Sequence, residues 1–329
     1  METYGPRDAK SLSAGNEGNL VVDPDVSVCI VTYHARDLLK DCLESLSLNT
    51  DLKYEVIVVD NGSQDGVRQM LESDFPTTLF LENSHNEGYT RPMNVALKNS
   101  TGRYLLQLNP DTIILPKALD NLVEYMDQNP EIGICGPRVL NRDLSLQKPC
   151  RRGESTPWAV ISYFTGLATL FPKSPVFGQY LLTYLDENQP HPVAGISGSC
   201  MLIRRAVIDN IGYLDEHFVA YQEDADFCFR ARNSNWKVFY YPGSQIIHYG
   251  GMGGSQVEPY KSILYWHRSY FLYYKKNLSN NYLFLFNWLY YVAMFLKFLS
   301  ALIIRFIGGG KVEKVVNQIE DEEKISRYS

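Results

Sequence analysis

The chain predicts an α/β fold with a mostly parallel sheet flanked by helices, and three observations carry that expectation. Short apolar runs and amphipathic helical runs alternate four times between Val26 and Leu108, the rhythm of βαβ units with right-handed crossovers. The polar clusters Thr32-Tyr33, Asp60-Asn61-Gly62 and Asn109-Pro110-Asp111 all fall at the carboxyl end of an expected strand. In open α/β sheets that edge is where ligands bind, so the arrangement is Rossmann-like. Finally, 329 residues with 45% hydrophobic and 21% charged side chains suffice for one large core with additions.

Val26 to Tyr33, VSVCIVTY, is a buried first strand, and Arg36 to Leu48 carries Leu38, Leu39, Cys42, Leu43 and Leu46 at helical spacing. Tyr54 to Val59 is the second strand. It runs into Asp60-Asn61-Gly62-Ser63, a strand-to-helix turn with Ser63 placed as the cap of a helix starting at Val67. Thr78 to Leu81 is a short third strand, and Asn86-Glu87-Gly88 opens a helix through Met93 and Leu97 to Asn99. Arg103 to Leu108 is the fourth strand, which stops at Asn109-Pro110-Asp111 because Pro110 cannot continue a central ladder. The stop holds Asp111 at the ligand edge, where a hard carboxylate suits Mg²⁺ or Mn²⁺ bridging phosphates; an ordinary turn is the competing reading.

Pro116 to Asn129 is an amphipathic helix, and Glu131 to Leu140 returns as a strand. From Asn141 to Pro192 the periodicity is irregular, with Arg151-Arg152 and Trp158 inside it. Val193 to Arg204 reads as one buried strand whose Gly195 and Gly198 permit close approach. Tyr221-Gln222-Glu223-Asp224-Ala225-Asp226 opens a helix whose dipole favours acids in the first turn, with Asp226 placed to pair with Arg230 at i, i+4. His248 follows the next strand, and a lone His in such a place is ordinarily a packed core residue.

No GxGxxG follows the first strand and no GxxxxGK[ST] occurs, which excludes a dinucleotide dehydrogenase and a P-loop enzyme. Net charge, 31 − 37 = −6, argues against a nucleic-acid partner. The segment 261–310 contains six cations and no acid, so it is +6 and the rest −12. Within it Lys261, Arg268 and Lys275 recur every seven residues among aromatics, the pattern of an interfacial helix facing anionic lipid. Tyr282 to Phe306 is long enough to span a bilayer. Lys297, Ser300 and Arg305 fall on one side of it, which favours a helix lying in the membrane surface; burial against a second subunit of a homo-oligomer is the alternative. The six cysteines lack CxxC spacing and read as reduced core residues, and the first residues lack an apolar stretch, so no signal peptide is expected.

The segments VSVCIVTYHARDLLKDCLESL, EVIVVDNGSQD, NEGYTRPMNVALKNSTGRYLLQLNPDT and GSCMLIRRAVIDNIGYLDEHFVAYQEDADFCFRARNSNWKVFYYP stand in that order over about 26–249. Together they resemble glycosyltransferase family two, GT-A fold, and most nearly its rhamnosyltransferase-like branch. The resemblance implies a metal-dependent inverting glycosyltransferase using Mn²⁺ or Mg²⁺. It would move a sugar, foremost L-rhamnose from dTDP-rhamnose, from a nucleotide-sugar donor to a lipid-linked or cell-surface glycan. A UDP-sugar transferase of another linkage and a non-catalytic nucleotide-sugar-binding protein are the alternatives.

By the same resemblance Asp60 contacts the nucleobase, with Thr32, Tyr33, Asn61 and Gly62 around it, and Arg91, Asn94 and Asn109 face the donor. Asp111 binds the metal, although the family's motif is often DxD and here reads Asn109-Pro110-Asp111, the form usual in that branch. His248 joins Asp111 on the ion, and Gly250 to Gln256 is a flap over the donor. Asp224 is the general base, with Glu223 the alternative. The irregular 141–192 segment shapes acceptor choice, or is plain loop packing. The expected organisation is a disordered arm (1–24), a GT-A catalytic domain (25–258, with a nucleotide-binding half 25–115 and an acceptor half 116–258), membrane-associating helices (259–310) and a polar tail (311–329). The whole is expected to work in the cytoplasm at the inner face of the cell membrane.

Overall fold

The four apolar runs of the first third become the parallel half of one sheet. The computed structural model describes residues 23–250 and 258–307, so the expected arm up to 22, all of the expected flap but Gly250, and the expected tail (311–329) lie outside the described residues. β1 (Val26–Thr32) is buried along its whole length and pairs in parallel with β2 (Tyr54–Asp60). β3 (Leu79–Glu82) joins β2 outside, and β4 (Tyr104–Leu108) lies on the other side of β1. Helices α1 (Arg36–Asn49), α2 (Val67–Asp74) and α3 (Thr90–Lys98) make the crossovers, burying Leu39, Cys42 and Leu46 of α1 and Met93 and Leu97 of α3. Strands covered on both faces show no alternation, which is why they read as continuous apolar runs.

The second half is mixed. It runs β5 (Thr112–Ile114), α4 (Ala118–Gln128), β6 (Ile132–Leu140), β7 (Arg151–Arg152), α5 (Pro157–Phe164), α6 (Leu167–Leu170) and β8 (His191–Pro192). Then come β9 (Gly195–Ile196), β10 (Cys200–Arg204), α7 (Arg205–Ile211), α8 (Glu223–Asn233) and β11 (Lys237–His248). The order across the sheet is β3-β2-β1-β4-β10-β6-β11-β5, with β10 antiparallel to both neighbours and β5 antiparallel to β11. All six cysteines are buried and free.

Two expected elements are placed differently. Val193 to Arg204 is broken at Ser197-Gly198-Ser199, because the Gly198 N–H turns to donate to Asp224 Oδ2 at 2.9 Å. A Cβ there would sit 2.3 Å from Gln107 Nε2, and β9 pairs with β7 in a separate ribbon. The third helix opens at Thr90 rather than at Asn86. Gly88 lies at φ +88° with its missing Cβ facing Val219 at 2.4 Å, and the amides of Tyr89 and Thr90 donate to the Val219 carbonyl. That glycine is demanded by a loop more than a hundred residues away in the chain.

The carboxyl-terminal helices form a hairpin against the domain. α9 (Pro259–Tyr273) passes through one π turn at Tyr274–Leu278, and α10 (Phe284–Ile307) runs back antiparallel along it. Tyr291 meets Phe271, Phe298 meets His267 and Arg305 lies over Tyr260. The polar side of α10 therefore faces protein instead of a headgroup layer: Asn287 Nδ2 donates to Ser279 and Tyr282 carbonyls, and Lys297 sits over Trp266 and Phe164. The opposite side, from Phe284 through Trp288, Leu296 and Ile304, is exposed and apolar except for Ser300, whose hydroxyl bonds back to the Lys297 carbonyl.

Asp226 ties the hairpin to the domain. Its fully buried carboxylate accepts from Arg230 Nε at 2.9 Å, the expected i, i+4 pair, and also from Lys276 Nζ at 2.7 Å and Asn277 Nδ2 at 2.9 Å. Asp226→Ala strips Arg230 of its counter-charge and leaves Lys276 only Asp215, and is expected to cost on the order of 3 kcal/mol. Limited proteolysis should then cut first between Tyr274 and Tyr282; an unchanged melting temperature and cleavage pattern would contradict this anchoring.

Candidate active site

The carboxyl ends of β1 and β4, the β9–β10 turn, the amino end of α8 and the end of β11 open onto one cavity of about 640 Å³. It is lined by Thr32, Tyr33, Asn61, Asn109, Asp111, Glu223, Asp224 and His248, so most of the expected site residues are brought together. Thr32 Oγ1 is buried there without a partner. Asn61 pins the adjoining loop: its amide donates to the Asn86 side chain and Gly88 carbonyl, and its oxygen accepts from Asn83 Nδ2.

Asp60 is fully buried just behind the cavity wall, where Oδ2 accepts the Ser63 amide at 2.8 Å and Oδ1 the Ser63 hydroxyl at 2.6 Å. Ser63 is thus a donor to Asp60 and not the expected helix cap; α2 starts after Gly66, which lies at φ +85°. Gly62, at φ +83°, lets the same turn pass against the His85 backbone. Arg91 and Asn94 do not line the cavity. Arg91 is exposed and pairs with Glu87 and Glu216, while Asn94 exchanges two hydrogen bonds with the Leu214 backbone at 2.9 and 3.0 Å. Both brace the loop that presses Val219 against Gly88.

Asp111 and His248 meet through sheet register. β11 pairs with β5 so that His248 stands opposite Thr112, beside Asp111, and His248 Nε2 lies 3.1 Å from Asp111 Oδ1. The other ring nitrogen, Nδ1, is 2.7 Å from Gln147 Oε1, and the Gln147 amide donates elsewhere, to Asn141 Oδ1 and the His248 carbonyl. Gln147 Oε1 therefore accepts from Nδ1–H, and the Nε2 lone pair points to the Asp111 carboxylate and to the Asn109 amide, which donates to it at 3.2 Å and would have to yield to an ion. Two electron-pair donors aimed at one point, with a side-chain acceptor fixing the imidazole, fit a divalent cation. Among the described residues no group of three or more His, Cys, Asp or Glu forms a metal site, so such an ion would complete its coordination from phosphate oxygens and water. Sequence reasoning missed Gln147, whose position in an irregular loop carries no motif.

The two carboxylates at the start of α8 differ sharply. Asp224 Oδ2 accepts from Arg152 Nη2 at 2.6 Å and from Gly198, while Oδ1 accepts the Ala225 amide at 2.6 Å. Glu223 is 5% exposed, and its Oε2 has no partner. Burial, and then the charge of Asp224, push its carboxyl well above the ordinary carboxylate range. Tyr221 and Gln222 just before them lie at φ +65° and +63°, two successive strained residues that aim the pair into the cavity. Facing them is a wall of Tyr163, Phe164, Tyr180, Tyr265, Trp266 and Tyr270 from α5, the following loop and α9. The roles of Arg152 and this wall were also missed: Arg152, Tyr163, Phe164 and Tyr180 sat in the irregular segment, and Tyr265, Trp266 and Tyr270 in a helix read as membrane-facing.

Because folded Glu223 keeps a proton that the unfolded chain releases, stability falls as pH rises out of the carboxylate range. Glu223→Gln should remove that loss, so its melting-temperature advantage over wild type grows between about pH 5 and about pH 8. An advantage that does not vary with pH would contradict the assignment.

A family model for glycosyl transferase family 2 matches residues 27–212, more than half of the chain. The N-acetylglucosaminyl-diphospho-decaprenol L-rhamnosyltransferase of Mycobacterium tuberculosis is 28% identical over 233 residues, covering 68% of this chain and 75% of that protein. The low-salt glycan biosynthesis hexosyltransferase Agl10 of Haloferax volcanii is 29% identical over 218 residues, 65% of this chain and 64% of its own. A crystal structure of GalNAc-T7 with UDP, GalNAc and Mn²⁺ superposes with a TM-score of 0.51 at 15% identity, over 68% of this chain and 44% of that one, and shows the shared fold. By the family match and by its fold, the chain belongs to glycosyl transferase family 2 and is a glycosyltransferase.

Proposed function

We propose that the protein is an inverting, divalent-metal-dependent transferase that moves a sugar from a nucleotide diphosphate to a lipid-linked or glycan acceptor, with dTDP-L-rhamnose the foremost donor. The observation that carries this reading is the opening of two different pairs, Asp111 with His248 and Glu223 with Asp224, onto one cavity at the carboxyl edge of the sheet. The rhamnosyltransferase and hexosyltransferase names of the two relatives favour the donor and acceptor classes. A UDP-sugar donor is the alternative that a donor panel separates.

In this reading Thr32, Tyr33, Asp60, Asn61, Gly62 and Asn109 shape the nucleotide side, and Arg91 and Asn94 act at one remove through the loop they brace. Asp111 and His248 would hold Mn²⁺ or Mg²⁺, which would supply positive charge to neutralise the departing diphosphate. The acceptor oxygen bonds to the anomeric carbon as the carbon–oxygen bond to the diphosphate breaks, and the hydroxyl proton must go to a base. Asp224 fills that role: Oδ1 accepts only the Ala225 amide and keeps a lone pair for the hydroxyl. Glu223, which holds its own proton, cannot take a second.

One helix among the described residues, α10, is long and apolar enough to cross a membrane. Its Asn287, Lys297 and Arg305 side chains are turned inward to the hairpin and the domain and it runs along α9, which supports a helix lying in the surface of the membrane's cytoplasmic face. Lys261, Arg268 and Lys275, all exposed on the hairpin, would meet anionic headgroups.

Thermal shift of the purified protein against a nucleotide-sugar panel with Mn²⁺, followed by transfer assays, tests the reading. Asp224→Asn is expected to lower turnover by roughly 100-fold or more with donor binding kept, and Glu223→Gln to keep most of its turnover. Asp224→Asn retaining more than about a tenth of wild-type turnover would exclude Asp224 as base. Gln147→Leu should weaken Mn²⁺-dependent nucleotide binding by roughly 10–100-fold, as Asp111→Ala and His248→Ala should at least equally. An unchanged Mn²⁺ titration of the Gln147 variant, followed by calorimetry, would contradict its role.

A further inference from the structure

We propose that Lys297 receives the phosphate that joins sugar to lipid in a lipid-linked acceptor, so the place where α10 meets the cavity-lining rings of α5 and α9 is an acceptor-phosphate subsite; the inference rests on the glycosyl-transfer reading above. Lys297 Nζ lies 4.0 Å from the ring centroids of both Phe164 and Trp266, and both rings line the cavity. Among the described residues its ammonium forms no ion pair and no hydrogen bond. Lys297 sits behind those two rings, and the Arg and Lys side chains that line the cavity itself are paired, Arg152 with Asp224 and Lys261 with Glu258. A half-buried ammonium held only by ring faces has given up hydration without gaining a counter-charge, and an anion arriving at the mouth supplies it.

The surroundings select what that anion is attached to. Inward lie Tyr163, Tyr265 and Tyr270, ring faces suited to the C–H faces of a sugar, and beyond them the carboxylates of α8. Outward, Phe164 is 44% exposed and is continued by exposed Ile161, Leu170 and Phe171 and by the apolar outer side of α10. A phosphate on Lys297 would thus carry a sugar into the cavity and an apolar chain onto the surface that faces the membrane. The nucleotide's own phosphates belong elsewhere, with Asp111 and His248 at the ends of β4 and β11.

The test uses the full-length protein in EDTA, with farnesyl diphosphate as probe and tryptophan fluorescence, to which Trp266 contributes, as readout. Farnesol, inorganic diphosphate and phosphatidylglycerol vesicles are the comparison ligands. Lys297→Met should weaken farnesyl diphosphate binding by about tenfold or more, Lys297→Arg should restore it to within about threefold, and farnesol binding should not change. Inorganic diphosphate binding as tightly as farnesyl diphosphate would overturn the inference in favour of a free-phosphate site. A Lys297→Met defect confined to vesicles would overturn it in favour of a bilayer headgroup contact, and equal losses for all ligands would mark a structural role. Binding of dTDP and UDP with Mn²⁺ is measured in the same preparations. If those nucleotides bind and farnesyl diphosphate ignores Lys297, this inference alone fails; if neither nucleotide binds, the glycosyl-transfer reading fails while Lys297-dependent prenyl diphosphate binding still upholds the subsite.

Discussion

The antiparallel register between β11 and β5 is the constraint on which the site depends. Ile246 stands opposite Ile114, Ile247 opposite Ile113 and His248 opposite Thr112, so the imidazole arrives beside the carboxylate that Pro110 holds at the end of β4. A slip of one residue would turn His248 to the other face of the sheet and leave Asp111 alone. The apolar pairs Ile113 and Ile247, both buried with Leu140, fix that register by their packing. Gln147 then sets the imidazole tautomer, so a short hydrophobic cluster under the sheet end determines how the proposed metal pair is presented.

The second constraint is electrostatic. Two neighbouring carboxylates in a buried helix start repel each other, and a single guanidinium, that of Arg152, answers only one of them. The pair divides accordingly: Asp224 is held by a cation and two amides, whereas Glu223 lowers its own charge by keeping a proton. Strained backbone at Tyr221 and Gln222 fixes the directions in which both point, at a cost of order 1–3 kcal/mol each that the surrounding core offsets. Asp226, two residues on, faces away from the cavity and fastens the carboxyl-terminal hairpin whose aromatic rings complete the opposite wall.

Much of this was legible from residue order. The parallel strands, their helices and the clustering of Thr32, Asp60 and Asp111 at one sheet edge follow from apolar runs broken by turn residues, because strands buried on both faces have few other ways to look. Asp111, Asp224 and His248 were singled out by their place in a family pattern, and the fold brings all three to one cavity. What stayed hidden depends on contacts between distant segments. Gly198 breaks a strand because Asp224 needs its amide, Gln147 matters only once β11 is beside it, and Arg152 matters only once α8 is. The α10 helix shows how composition misleads on direction: Lys297 and Arg305 do share a side, but that side is turned to aromatic rings of the domain.

The central claim is that Asp111 and His248 share one metal ion, which takes over from the Asn109 amide the Nε2 lone pair that Gln147 keeps unprotonated. Pulsed electron paramagnetic resonance of the Mn²⁺–dTDP complex, made with ¹⁵N-histidine protein, tests it directly. The account predicts coupling to one directly coordinated histidine nitrogen, lost in His248→Ala and kept when other histidines are replaced. A Mn²⁺–dTDP complex that shows no histidine coupling, or the same coupling in His248→Ala, would contradict it.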